Sequence, residues 1–128
     1  MQLLKIDETK LTPAVSLDPH NHLLEIVGSI YPENVSEFFG PIQAWVNEYM
    51  LQKNEGKTKV LLNLSYLNSS ASKQMWDLVE KMEQLAIRGV LVELVWQYDH
   101  EDDLMQEFGE ELVEDFKKIE FNLKALEN

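Results

Sequence analysis

Ser69, Ser70 and Ser72, with Lys73 directly after them, are the residues of this 128-residue chain whose grouping comes nearest to a reactive centre. A serine hydroxyl receives a phosphate, attacks a carbonyl once a base has taken its proton, or caps a helix. Three other groupings compete with it. His20 and His22, in Asp-Pro-His-Asn-His, offer two imidazoles to a metal, but no clear third ligand accompanies them. The run Asp99-His100-Glu101-Asp102-Asp103 is rich in carboxylates, yet it lacks the glycine and distal glutamate of a calcium loop and reads as a solvated helix start. Lys73 suggests a Ser-Lys pair, although a lysine in a first helical turn ordinarily extends into solvent. The chain has no G-x-S-x-G elbow, no Walker lysine loop and no dinucleotide glycine pattern. No metal site and no cofactor are therefore expected. A Ser-dependent or metal-dependent hydrolase is the competing reading, and a binding or regulatory module is favoured over it.

The serines sit where the sequence changes period. Val60 to Leu64 is a short apolar run of strand character, ended by Asn68 and a cluster of hydroxyls. From Ser70 onward Met75, Leu78, Val79, Met82, Leu85 and Ala86 recur at helical spacing, so one helix face turns to a core. The junction is thus strand, serine turn, helix start. A helix start carries unpaired N–H groups and the positive end of the peptide dipoles, which suit a cap, an anion or a phosphate. Serine is a preferred cap, so plain capping is the simplest reading of the turn. Three serines nevertheless exceed what one cap needs.

Length and charge narrow the classes. The chain is expected to be one domain over residues 1–128, large enough to bury a core without staples. It has no cysteine, which excludes disulfides and thiolate metal sites and makes a reducing cytoplasm the natural compartment. Its start lacks the basic region and apolar stretch of a signal peptide, and no apolar run approaches the roughly 20 residues of a membrane span. Eleven basic residues, with Arg88 the single arginine, stand against twenty-three acids, for a formal charge of -12. That balance argues against nucleic acid and against direct membrane binding, and favours partners with basic surfaces.

The remaining segments supply the scaffold. Leu4 and Ile6, Ala14 to Leu17, and Leu23 to Ser29 read as strands separated by turns, an antiparallel start to a sheet. Pro32 bars a helix from running backward, and Asn34 is placed to cap the next one. Val35, Phe38, Phe39, Ile42, Trp45, Val46, Tyr49 and Met50 form one helical stripe, in which the aromatics read as core. Gly40-Pro41 interrupts it, predicting either a kink or a second helix that begins at Pro41. Asn54 to Lys57 closes the helix, Arg88-Gly89 stops the central one, and Val90 to Trp96 is another strand. A last helix is expected to turn Met105, Phe108, Leu112, Val113 and Phe116 inward, before a short strand with Ile119, Phe121 and Leu123. The order implies an α/β fold, a single mixed β-sheet with helices packed against it and locally parallel strands.

Three stretches together resemble a known family. They are Gly28 to Asn34 with Phe38-Phe39-Gly40-Pro41-Ile42 and Trp45; Tyr66-Leu67-Asn68-Ser69-Ser70-Ala71-Ser72-Lys73; and Trp96-Gln97-Tyr98-Asp99 with the acids and Phe108-Gly109-Glu110. From about Leu23 to Phe121 the chain resembles the SiaC-like regulatory phosphoproteins, which are similar in fold to STAS domains and anti-sigma-factor antagonists. The resemblance implies a non-enzymatic switch protein in cyclic di-GMP signalling. A protein kinase adds phosphate to the residue after the asparagine, a PP2C-type phosphatase removes it, and the unmodified form binds and activates a diguanylate cyclase. Ser69 occupies that position here, where the family has threonine, and Ala71 stands where another hydroxyl is usual. Ser69, with Ser70 as the alternative, is thus the expected phosphorylation site. Asn68, Ser69, Ser70, Ser72 and Lys73 are the expected partner-binding surface. An acidic adaptor that is never phosphorylated is the third reading.

Overall fold

Alternation in the apolar segments builds one sheet, and the helical stripes cover one of its faces. The computed structural model describes residues 1–31, 33–53 and 55–127. Strands β1 (Leu4–Ile6), β2 (Ala14–Asp18) and β3 (Leu23–Ile30) are followed by α1 (Val35–Gln52), β4 (Lys57–Leu67), α2 (Ser69–Ile87), β5 (Leu91–Asp99), α3 (Asp103–Asp115) and β6 (Glu120–Leu126). The sheet order is β1-β2-β3-β4-β5-β6, the same as the order in the chain. The first two pairings are antiparallel and the last three parallel. The expected mixed sheet with packed helices is what forms. Each parallel step carries one helix, and right-handed crossovers that always advance in one direction place every helix on the same face.

Burial obeys that layering. Thr58, Val60, Leu62 and Leu64 of β4 and Val92, Leu94 and Trp96 of β5 are buried with Met75, Leu78, Val79 and Met82 of α2. On the opposite face Lys57 pairs with Glu93 at 2.9 Å, and the Asn63 amide donates to Gln97 Oε1 at 3.2 Å. The Lys57 ammonium holds the half-buried Glu93 carboxyl below its ordinary range. α2 ends at Arg88 and Gly89 as expected: the Val90 and Gly89 N–H groups return to the Leu85 and Ala86 carbonyls, with Gly89 at φ 107°.

Two expectations are corrected. α1 runs unbroken from Val35 to Gln52 with Pro41 inside it, so no second helix begins at the proline. Phe39, Ile42, Trp45, Val46 and Tyr49 form a buried stripe through the site, and their packing outweighs one lost backbone bond. Val113, expected inward, is exposed. The inward face of α3 runs along Met105, Gly109 and Leu112, and Val113 falls one step past its edge. The roles expected of Pro32 and Asn54 fall outside the described residues.

Gly109 marks the closest approach of α3 to the sheet. A Cβ there would meet Trp96 Cδ1 at 2.6 Å and Nε1 at 2.8 Å. Trp96 is fully buried and cannot move aside. Gly109→Ala is expected to destabilise the fold by about 1–3 kcal/mol despite its better helix propensity, read as a lower midpoint in urea unfolding.

At the far end of the sheet from the serine turn, the Tyr49 hydroxyl lies 2.7 Å from Thr58 Oγ1 and 3.0 Å from His22 Nδ1. Burial, aided by the positive charge of Lys53, lowers the His22 pKa from its ordinary 6.5. The unfolded chain therefore takes up this proton first, so stability falls as pH drops through about 6.5 toward the lower folded value. The melting temperature should decrease between pH 7 and 5.5, and should do so less in His22→Gln.

Candidate functional site

The turn from β4 to α2 is organised by Asn68, not by the serines. Asn68 has extended backbone, and its Oδ1 accepts the Ala71 N–H at 2.8 Å while its carbonyl accepts the Ser72 N–H at 2.9 Å. The simple reading in which a serine caps α2 is thereby corrected: an asparagine preceding them already fills that position. Ser69 is the first helical residue, and the side chains of Ser69 and Ser70 are both exposed. Ser72 is half-buried and Ala71 is fully buried. An added hydroxyl at Ala71 would need a partner in the core, which accounts for the apolar residue there.

A second helix start lies beside the first. Asn34 caps α1 by accepting the Glu37 N–H at 3.0 Å. Asn34, Ser36, Asn68, Ser70, Lys73 and Gln74 line a cleft of about 460 Å³ between the two starts. The Gln43 amide donates to Gln74 Oε1 at 3.1 Å, tying α1 to α2. The exposed Lys73 ammonium and the Glu33 carboxylate both border this cleft, beside the N–H groups of the two helix starts. Of the expected surface, Asn68, Ser70 and Lys73 share the cleft, and Ser69 lies in the same turn. Among the described residues no cluster of three or more His, Asp or Glu is placed to hold a metal, and His22 instead contacts Tyr49.

A stacked tyrosine pair near the turn has no counterpart in the sequence reading. Tyr31 and Tyr66 lie with ring centroids 4.2 Å apart and planes 6° from parallel. A bulge makes the stack possible. Gly28 pairs with Leu64 but Ser29 pairs with Tyr66, so Ser65 is the extra residue and re-aims Tyr66 beyond it. The hydroxyls of Ser29 and Ser65 contact each other beside it. Tyrosines in two separate motifs give no local signal of such a pairing.

The model for the family described as SiaC family regulatory phosphoprotein matches residues 6–126. The chain belongs to the SiaC family. The family is one of regulatory phosphoproteins, so the assignment identifies the chain as a regulatory protein of that kind. An uncharacterized protein of Pseudomonas aeruginosa (strain UCBPP-PA14) is 36% identical over 115 residues, 90% of each chain. Apo-SiaC from Pseudomonas aeruginosa superposes with a TM-score of 0.89 at 34% identity, over 98% of this chain and 100% of that one. SiaC from the same organism, crystallised as the activator in complex with the diguanylate cyclase SiaD, superposes with a TM-score of 0.88 at 33% identity, over 96% and 99%. This SiaC family member therefore shares both the sequence pattern and the whole mixed sheet of those proteins. No helix among its described residues is long and apolar enough to cross a membrane.

Proposed function

We propose that this chain is a non-enzymatic switch that binds and activates a diguanylate cyclase while Ser69 is unmodified, and releases it when Ser69 carries a phosphate. A protein kinase adds the group and a PP2C-type phosphatase removes it, in the cytoplasm. The observation that carries the reading is the exposed hydroxyl of Ser69 on the first residue of α2, with the capping role already filled by Asn68. Ser70, beside Lys73 in the cleft, is the alternative acceptor. The activator role is supported by the structural likeness to SiaC in its complex with SiaD.

Phosphate brings about -1.5 to -2 charges and three acceptor oxygens. A helix start accepts that group, whereas an apolar partner surface lying over the turn would have to strip its water at high cost. Asn68, Ser69, Ser70, Ser72 and Lys73 form the surface in question. Coexpression with the kinase, followed by intact-mass measurement and peptide mapping, tests the reading. One added phosphate on Ser69, absent from Ser69→Ala, is the expected result. A chain that gains no phosphate, or gains it only outside Ser69 and Ser70, would overturn it.

A further inference from the structure

β6 ends the sheet on its parallel side, and its outer edge is unpaired among the described residues. The other edge strand, β1, has three residues, whereas β6 has seven, with neither a proline nor a register shift to interrupt it. An edge of that length presents a row of free N–H and C=O groups, a template for another strand. One bond shows which groups those are. The His100 backbone N–H donates to the Leu126 carbonyl at 3.0 Å, so Leu126 turns its backbone toward β5, and by alternation so do Lys124, Asn122 and Glu120. Phe121, Leu123 and Ala125 turn theirs outward. The side chains of Phe121 and Leu123 lie opposite Leu94 and Trp96 on the helix-covered face and are half-buried. Glu120, Asn122 and Lys124 are exposed on the bare face, and neither Glu120 nor Lys124 forms a salt bridge among the described residues.

We propose that β6 pairs with β6 of a second copy of this chain, antiparallel about a two-fold axis at Asn122, joining two sheets edge to edge. Antiparallel strands exchange bonds between directly opposed residues, so the outward backbone groups of Phe121, Leu123 and Ala125 must face one another. With the axis at Asn122, Phe121 stands opposite the second copy's Leu123, and Glu120 stands opposite the second copy's Lys124. Both pairs occur twice. An axis at Lys124 would set two ammonium groups together, and an axis at Phe121 or Leu123 would leave Glu120 without a cation opposite it. A lone lysine on an edge deters strand addition, but here the matching glutamate arrives with the second copy. The occupant is this same chain because Glu120, Asn122 and Lys124, read in reverse, are their own complement. The formal charge of -12 on each copy opposes approach, yet at physiological salt the screening length is about 8 Å, so distant acids are muted while opposed Glu120 and Lys124 act at contact. β6 lies two strands along from β4, so the pairing leaves the serine turn of each copy uncovered.

Sedimentation velocity of the parent over a concentration series up to roughly 1 mM, with Lys124→Glu and Glu120→Lys each alone and mixed in equal amounts, tests this. The parent should pass from monomer to dimer as concentration rises. Each charge variant alone sets like charges together twice across the axis and should dimerise at least about tenfold more weakly. Mixed, the two variants again place a carboxylate opposite an ammonium at both positions and should pair at least as tightly as the parent. Both substitutions fall on exposed side chains, and a melt of each variant checks that it folds. Amide exchange followed by NMR on the parent gives an independent reading: the Phe121 and Leu123 N–H groups should exchange fast in dilute protein and several-fold more slowly in concentrated protein, whereas those of Asn122 and Lys124 stay protected throughout. Should a charge variant fail to fold, that exchange measurement decides. A parent that is monomeric at every concentration, a dimer that either charge variant leaves intact, variants that do not associate on mixing, or exchange at Phe121 and Leu123 that ignores concentration would each overturn the pairing.

Discussion

Ser69→Asp should bind its diguanylate cyclase about a hundredfold more weakly than the parent, a loss of about 2.7 kcal/mol, while melting at the same temperature or higher. The two measurements move in opposite directions for one physical reason. Position 69 is the first residue of α2, where a carboxylate complements the helix dipole by about 0.3–1 kcal/mol. The same carboxylate, covered by an apolar partner surface, loses its water. Ser69→Ala should bind as the parent does and should not respond to the kinase. Calorimetry with the purified cyclase, alongside a thermal melt of each variant, separates the effects. Parent-like affinity in Ser69→Asp would count against a charge-gated contact at this turn.

Trp96→Ala should cost about 3–5 kcal/mol, a large share of the roughly 5–15 kcal/mol that holds a domain of ordinary stability together. Trp96 is fully buried, and its indole Nε1–H donates to the Met105 carbonyl at 2.8 Å. Its ring stacks on Phe108 with centroids 5.2 Å apart, and Gly109 lies against its edge. Removing it empties the space between β5 and α3 and takes the indole donor away from the Met105 carbonyl. Trp96→Phe keeps most of the volume and loses the hydrogen bond, so it should fall between parent and Ala, at about 1–3 kcal/mol. Urea unfolding with unchanged m values would confirm that the native state is the one affected.

The sequence reading located what depends on local pattern. The β4-to-α2 junction, the Asn34 cap, the Arg88-Gly89 stop and the antiparallel start all arise from residue types within a few positions of one another. The full length of β4 was not evident, because Lys57 and Tyr66 are held in strand by pairing with Leu91 and Ser29 and not by their own propensity. Pro41 pointed to a kink or a second helix, and the buried stripe on both sides keeps one continuous helix. The contact of His22 with Tyr49 and of Tyr49 with Thr58 joins three segments through polar atoms that no periodicity describes. The tyrosine stack depends on a one-residue register shift at Ser65, which is a property of two strands together. At the candidate site the composition of the turn was readable, but the division of labour within it was not. Asn68, read as the end of a strand, turned out to hold the helix start and to leave the serines available.

The sheet's strands lie in the same sequence as they are made, and this bears on how the molecule comes into being on the ribosome. Each newly emerged strand finds its hydrogen-bonding neighbour already placed, so no segment has to wait for a distant one or slip between two that are already joined. The β1-to-β3 meander can form first from near neighbours, and every later helix and strand adds one step at a single growing edge. The strand order thus permits assembly in the direction of synthesis, with β6 added at the last edge.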